Sequence, residues 1–448
     1  MLREKFVVPL VFAFHLLGLI ETAAAQTEPA PATTATAPTA APATTAEPGA
    51  TPAVDAPTSP AAAPTPAPAL VAPAPPALVA PDPARATDAP PAQLPTPPVP
   101  APTQLKLELG NRTSIRFGLL WQGQYEARGN SVNNDISHNL FLRRFSILLG
   151  GTVLRDFEYF FDTDFADLMK APAGDQSLKN GPGISTKDAF VTFRAIDDKL
   201  KIDAGLFIPP GAHNVLQGGS SIYSWDFFLN TFRHNTVFGS TGNPYGRDLG
   251  AELRGIVGPI EYRAGIFQGK RRPPSAESAP ARNSFRLAGR VQVNFLDPEV
   301  NFFYGGTYLG TKKIFSIGAA ADFQYDKDGS YRTIAGDAFL DLPIGKDAIT
   351  AQVNVVHRNG GDLVALPKQT AFMAEAGYRL DSLKLSPIAR FEQRWGEGAA
   401  GDETDFGGGL AFWAYGHNSN LKAFYTRLVP DGSAAYDQFN LQWQVFFY

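Results

Sequence analysis

The residue types that carry out catalysis are present, but their arrangement favours no enzyme. The chain has no cysteine, which excludes a thiolate nucleophile and a thiolate metal site. It also lacks the Gly-x-Ser-x-Gly motif of a serine hydrolase. The five histidines after the N-terminal segment are scattered and do not have metal-ligand spacing: His138, His213, His234, His357 and His417. We therefore predict no catalytic residues, no cofactor and no metal site, with a hydrolase as the less favoured alternative.

Two acidic clusters superficially resemble calcium loops. Asp162-x-Asp164-x-x-Asp167 lies mostly on an alternating, strand-like segment, and Asp326-x-Asp328-Gly329 has the composition of a hairpin turn. Structure alone explains both patterns.

Arginines offer a different chemistry, because a guanidinium group can replace the hydration shell of an oxyanion without holding it irreversibly. Many arginines lie on the polar faces of alternating segments. We interpret eight of them as candidates for an anion path: Arg116, Arg144, Arg194, Arg254, Arg263, Arg286, Arg290 and Arg390. Pairing with carboxylates on neighbouring strands is the alternative for each. Arg286 and Arg290 stand out because Ala288 between them is small and their segment has no carboxylate on the polar face.

These side chains must be positioned by β-strands, since apolar and polar residues alternate along most of the chain after residue 104. Residues 114–126, 285–295 and 439–448 are clear examples. In a soluble sheet the apolar face would turn inward, whereas in a membrane barrel it faces lipid and the polar face lines the lumen.

The N-terminus indicates export. Arg3 and Lys5 precede a short apolar stretch, and Ala23-Ala24-Ala25 forms a small-residue cleavage site, so residues 1–25 are predicted to be a signal peptide. Net charge is -4 and pI is about 5.9, which gives no sign of a nucleic-acid partner.

Residues 26–104 differ in composition from the rest of the chain. They are rich in Pro, Ala and Thr and contain no aromatic residue, so they have little with which to build a core. We predict a disordered tether, which either contacts peptidoglycan or serves as a simple spacer.

The fold class predicted for residues 105–448 is all-β, a transmembrane antiparallel barrel. Connections alternate between long and short, with Arg155-Asp156, Val257-Gly258-Pro259 and Asp297-Pro298-Glu299 among the short ones. An even count requires residues 301–325 to contribute one strand or three. We choose one, preceded by an irregular periplasmic stretch near 304–310, which gives sixteen strands, with eighteen as the alternative.

The connection from Pro209 to Gly246 carries far more aromatic residues than an exposed loop should show to water. We predict that it folds into the lumen or packs at a subunit interface. The candidates for a constriction are Tyr223, Trp225, Phe228 and Arg233.

Several short motifs, in order, resemble those of the phosphate-selective porin O and P family. They include Leu142-Arg143-Arg144-Phe145, Leu206-Phe207-Ile208-Pro209-Pro210, Arg247-Asp248-Leu249-Gly250 and Leu441-Gln442-Trp443-Gln444. The resemblance spans about residues 105–448. It implies a sixteen-stranded anion channel, often trimeric, whose third external loop folds inward.

The resemblance therefore predicts an outer-membrane porin for passive uptake of small anions, with phosphate or polyphosphate as candidate solutes. The barrel lacks the excess of basic residues expected of a strong phosphate trap: after subtraction of 3 basic and 7 acidic residues before position 105, each charge type numbers 36. The alternatives are a non-specific general diffusion porin and a barrel that anchors the envelope through its tether. The expected partners are outer-membrane lipid, small anionic solutes and two further copies in a homotrimer.

Overall fold

The computed structural model describes residues 105–448, except 111, 130–134, 172–177, 182, 228–245, 272–283, 327–328, 362, 364–366 and 399–400. The predicted signal peptide and the predicted disordered tether lie outside the described residues.

The described chain is built from seventeen β-strands: β1 (Leu105–Leu109), β2 (Thr113–Gly129), β3 (Ile136–Val153), β4 (Phe157–Asp164), β5 (Ser185–Ile196), β6 (Leu200–Phe207), β7 (Asp248–Val257), β8 (Ile260–Phe267), β9 (Arg286–Asn294), β10 (Ile314–Asp326), β11 (Gly329–Ile344), β12 (Asp347–Asn359), β13 (Gln369–Arg379), β14 (Leu385–Gly396), β15 (Glu403–Phe412), β16 (Ser419–Pro430) and β17 (Tyr436–Phe447).

Sixteen of these strands, β2 to β17, form a closed antiparallel barrel. Each strand pairs with the next one along the chain, and β17 pairs with β2 to close the sheet. The predicted barrel of sixteen strands is therefore confirmed, and the alternative of eighteen is wrong. The short β1 pairs with the start of β2, from Leu105 opposite Phe117 to Leu109 opposite Thr113.

The alternating pattern decides which way each side chain points. On β2, Gln122, Gln124 and Glu126 face inward and are at most 4% exposed, while Phe117 on the other face is 44% exposed. Successive side chains of a strand point to opposite faces, so the apolar set covers the outside of the barrel and the polar set covers the inside. This inversion of a soluble fold is what a hydrocarbon environment requires.

Short turns join the strands at one rim and long connections join them at the other. β3 and β4 are joined by Leu154–Asp156, where Leu154 and Arg155 adopt positive φ angles of 57° and 68°. β7 and β8 are joined by Gly258 and Pro259, and glycine suits the φ of +60° found there.

One connection at the short-turn rim differs from the prediction. Asp297-Pro298-Glu299 is not a tight turn, because the chain runs irregularly from 295 to 313 before β10 begins at Ile314. This connection, here called the insert, enters the barrel, and its Tyr304 is only 1% exposed. The stretch near 304–310 is irregular, as expected, but it lies inside the barrel, because Tyr304 is held by residues distant in sequence such as Leu216.

A 3-10 turn, His213–Leu216, lies within the described ranges. No helix there has the length and hydrophobicity of a membrane span.

Candidate functional site: the constricted lumen

The connection from β6 to β7, residues 208–247, is here called loop 3, and its described part up to residue 227 enters the barrel. Its described first part, 208–227, is almost wholly buried, with Tyr223 at 1% and Trp225 at 6% exposure. The predicted constriction residues Phe228 and Arg233 lie outside the described residues. Tyr223 and Trp225 pack against inner-wall side chains of β14, β15 and β16, namely Ile388, Ala411 and Phe424, and against Trp413 just beyond β15.

A first anchor holds loop 3 against strands β11 and β12. The backbone N–H of His213 donates to Asp337 Oδ2 at 3.0 Å, and that of Asn214 donates to Asn354 Oδ1 at 3.1 Å. The His213 ring stacks between those of Tyr304 and Phe339, with centroids 4.8 and 4.2 Å away. Buried donors at the start of the 3-10 turn are thus satisfied by side chains of the wall.

The insert enters from the other rim and hydrogen-bonds to the same part of loop 3. Tyr304 N–H donates to Leu216 O at 3.0 Å, and Gly218 N–H donates to Tyr304 O at 3.0 Å, which makes a short parallel bridge. Glu299 Oε2 lies 2.9 Å from His213 Nε2. The lumen is therefore narrowed by two segments that enter from opposite rims and hydrogen-bond to each other.

The charge of Glu299 strengthens the contact between the insert and loop 3. Burial alone would raise the pKa of the Glu299 carboxyl, but the neighbouring His213 imidazole and the hydroxyl of Tyr308, which donates to it, hold that pKa below its ordinary value. Glu299 is therefore a carboxylate at neutral pH.

A second anchor lies at the far side of the lumen. Asp226 of loop 3 accepts hydrogen bonds from Arg143 at 2.6 Å and from Arg144, both on β3. Burial would raise the pKa of Asp226, but the two guanidinium groups lower it well below the usual range. Arg390 on β14 donates to the carbonyl oxygens of Asp226 and Phe227, each at 2.9 Å. Strands on both sides of the lumen, β3 and β14, therefore hydrogen-bond to this end of loop 3.

A lysine holds the backbone between the two anchors. Lys422 Nζ on β16 donates to the carbonyls of Ile222 at 2.6 Å and Ser224 at 2.9 Å. Loop 3 therefore crosses from β11 and β12 to β16 and β3, and the barrel wall fixes it at each step.

The eight arginines predicted to line an anion path all lie on the inner wall or its rim, and seven of them form ion pairs. The pairs are Arg144–Asp226, Arg194–Glu158, Arg254–Asp203, Arg263–Glu261, Arg286–Asp322, Arg290–Asp337 and Arg390–Glu392. Arg116 instead lies over the ring of the C-terminal Tyr448, 4.7 Å from its centroid.

Arg286 and Arg290 find carboxylates on neighbouring strands. Arg286 binds both oxygens of Asp322 at 2.8 and 2.6 Å, and Arg290 binds both oxygens of Asp337 at 2.6 and 2.7 Å. A bidentate pair of this kind has nearly no net charge when seen from a distance. Their own strand carries no carboxylate, but the neighbouring strands supply the counter-charge.

A further carboxyl group lies on the inner wall, outside these pairs. Glu252 on β7 is 1% exposed, and within the described structure neither of its carboxylate oxygens has a hydrogen-bond partner. Between loop 3 and strands β9 to β12 a cavity of about 20 Å³ remains, lined in part by Arg286, Asp322 and Arg358. That is room for roughly one water, so loop 3 packs tightly on this side of the barrel.

The two acidic clusters have structural roles. Asp162 pairs with Lys187 at 3.0 Å, and Asp164 accepts the backbone N–H of Phe145 at 3.1 Å. Asp326 and Gly329 end the paired strands of the β10–β11 hairpin. Across the described ranges, no group of three or more acidic or histidine side chains is arranged to hold a metal ion.

Sequence reasoning missed the residues that fix the constriction, namely Arg143, Asp226, Glu299 and Tyr304. Two signals were available. Asp226 is a charged residue inside the aromatic run 223–228, and two adjacent arginines break the alternation at 143–144, where the structure has an irregularity in the β2–β3 register. A register shift lets neighbouring residues reach the same side.

Comparison with known proteins identifies the fold. No family model matches the sequence, and neither does any curated protein. Among solved structures, an anion-selective porin from Comamonas acidovorans matches with a TM-score of 0.50 and 10% identity, over 75% of this chain and all of that one. Salmonella typhi OmpF, solved in complex with daunomycin, matches with a TM-score of 0.51 and 13% identity, over 74% of this chain and 98% of that one.

The chain therefore has a porin fold. The more specific resemblance to the phosphate-selective porin O and P family stays a prediction.

Proposed function

We propose that the chain forms a water-filled channel in the bacterial outer membrane, through which small hydrophilic solutes, anions among them, move down their gradients. The observation that carries the proposal is a closed sixteen-stranded barrel with an apolar outside, a polar inner wall and a loop anchored across its lumen. The short-turn rim then faces the periplasm and the long connections face outward.

Two further observations support a channel rather than an enzyme. The buried charged groups described above are used to fix loop 3 and the wall, and porins recur among the similar structures. Constrictions lined by fixed charges and hydrogen-bonding groups control which solutes pass.

Liposome swelling tests this proposal directly. Liposomes that contain the purified full chain are expected to swell in isotonic arabinose and more slowly in a trisaccharide, because the anchored loop limits the size of the solute. Equal swelling rates with and without the protein would overturn the proposal. Heat-modifiable migration in a detergent gel serves as the control for folding.

A second candidate is a channel with a preference for anions, phosphate included. The inner-wall arginines and the anion-selective porin of the same fold favour it. The carboxylates paired with those arginines oppose it, so we expect a weak preference and favour general diffusion.

Reversal potentials in a potassium chloride gradient decide between the two candidates. Arg290→Gln leaves Asp337 uncompensated and should move the potential towards cation preference, whereas Arg290→Gln with Asp337→Asn removes the pair as a neutral unit. If the pair is electrically silent, the double variant behaves like the unmodified chain. A shift in the double variant as large as in the single one would instead show that Arg290 sets an anion preference.

A further inference from the structure

A row of side chains on the inner wall crosses strands β2 to β9, with an arginine at each end and aromatic rings between them. Residues opposite one another on paired strands form this row: Arg116, Gly150, Phe160, Phe190, Gly205, Gly250, Phe267 and Arg286. Because the strands of a barrel are tilted, such a row climbs from one rim towards the other. Arg116 is the fourth residue of β2, near the short-turn rim, whereas Phe267 ends β8 at the other rim.

The rings of this row pack against one another and against aromatic side chains of the insert. The ring centroids of Phe160 and Phe190 are 5.7 Å apart, and Phe302 of the insert lies 4.5 Å from Phe190. Phe303 of the insert meets Phe160 at 5.9 Å, and Tyr448 meets Phe160 edge-on at 5.7 Å. The interior of a water-filled barrel is ordinarily polar, so these rings give one part of the lumen an apolar surface.

The end of the row near the short-turn rim is open to the lumen. Phe190 and Phe267, farther along the row, are at most 7% exposed and form a closed core. Phe160, Phe303 and Tyr448 are only half-buried. A solute in this part of the lumen therefore contacts accessible ring surface.

A guanidinium group lies beside these accessible rings. Arg116 is half-buried, and within the described ranges it takes part in no ion pair; its guanidinium lies 4.7 Å from the centroid of the Tyr448 ring. Glu158 on β4 is paired with Arg194 at 3.4 Å, so its charge is compensated there. This end of the lumen thus combines a positive charge with an accessible aromatic surface.

The solute that matches both features has a flat apolar body and one negative charge. Aromatic rings pack well against other aromatic rings, edge-on or offset, and a guanidinium group binds a carboxylate through two parallel hydrogen bonds. Inorganic phosphate would use the arginine alone, and a neutral sugar would leave the positive charge without a counter-charge. An aromatic carboxylate uses both the charge and the rings.

We propose that Arg116, Phe160, Phe303 and Tyr448 form a binding site for aromatic carboxylates, here called the aromatic site. The carboxylate of the solute lies against Arg116, and its ring lies against Phe160 and Phe303. The proposal rests on the proposed channel, because an open lumen is what lets a solute reach these side chains.

Equilibrium dialysis tests binding without requiring conduction. Radiolabelled benzoate is dialysed against the full chain in lipid nanodiscs, with empty nanodiscs as the blank. We expect one benzoate bound per chain, displaced by unlabelled benzoate and not by acetate at the same concentration. Binding no greater than that of the blank, or equal displacement by acetate, would overturn the proposal.

Substitutions then locate the site. Arg116→Gln should weaken benzoate binding about tenfold, because charge-assisted hydrogen bonds are lost. Phe303→Leu should weaken it roughly threefold to tenfold, because the ring contact is lost while most of the bulk remains. The matched controls Arg332→Gln and Phe372→Leu lie on the lipid face of β11 and β13 and should bind benzoate as the unmodified chain does. With heat-modifiable migration retained, unchanged affinity in either lumen variant would contradict the assignment.

Single-channel currents separate the aromatic site from the proposed channel. In potassium chloride, benzoate should reduce the current at lower concentrations than acetate does, and Arg116→Gln should remove most of that difference. Open channels that benzoate and acetate block equally would overturn the aromatic site alone. A folded chain that binds benzoate in dialysis but carries no current would support the site and overturn the proposed channel.

Discussion

At the scale of single residues, the lumen is organised by buried charge pairs that attach a loop to the wall. Asp226 and its partners Arg143 and Arg144 have side chains at most 16% exposed. Removing one member of such a buried cluster leaves the others with uncompensated charge, which typically costs about 3–5 kcal/mol. They lie at the far end of the described part of loop 3. Loss of a charge there should therefore release the loop from the wall.

The first prediction concerns the ion pairs of Asp226 with Arg143 and Arg144. Asp226→Asn should loosen loop 3, raise the mean single-channel conductance and make the current noisier, because Arg143 and Arg144 lose their counter-charge. Asp431→Asn, at an exposed turn, is the matched control and should leave the current unchanged. If the Asp226 variant gives normal conductance without added current noise, these ion pairs do not hold loop 3 in place.

The second prediction concerns pH. The pKa of Asp226 is depressed in the folded chain, so its contribution to stability is complete above the ordinary pKa of about 4 and is lost only as pH falls through the lower folded value. Acidification from pH 7 to pH 5 should therefore leave loop 3 anchored. Trypsin accessibility of loop 3 checks this, and faster cleavage at pH 5 than at pH 7, after correction for trypsin activity, would count against it.

At the scale of elements, two connections meet inside the barrel at a place where a glycine is required. A Cβ added to Gly306 of the insert would lie 2.7 Å from Ser221 O and 2.8 Å from Ile222 Cα of loop 3. Backbone atoms cannot move aside as a flexible side chain can, so the close approach depends on the missing side chain.

The third prediction follows from that contact. Gly306→Ala should separate the insert from loop 3 and increase both conductance and its fluctuations, and the thermal unfolding midpoint should fall. Gly336→Ala, on the lipid side of β11 with no atom within 4 Å of the added Cβ, should change neither property. If the two variants have the same conductance and the same unfolding midpoint, the contact between the insert and loop 3 does not control the pore.

The strands and the insert differ in how far sequence could predict them. Alternation along β2 and β17 gave their inward and outward faces, because the period of a strand is fixed by its geometry. The insert was predicted as irregular but not as buried, since Tyr304 is held by residues distant in sequence, such as Leu216. Ion pairs such as Arg290–Asp337 likewise depend on register between strands, which alternation within one strand does not encode.

At the scale of the whole molecule, the wall and the lumen have separate tasks. The apolar outer face suits contact with lipid, while the two inward connections narrow the lumen. Because the paired arginines and carboxylates nearly cancel, size rather than charge is expected to limit which solutes pass.

The central claim is that the folded barrel conducts. The decisive measurement is the current across a planar lipid bilayer after addition of the purified, heat-modifiable full chain. We expect discrete, ohmic conductance steps with a small reversal potential in a salt gradient. Protein that inserts in its folded form yet gives no steps at any voltage would contradict the claim that the barrel conducts.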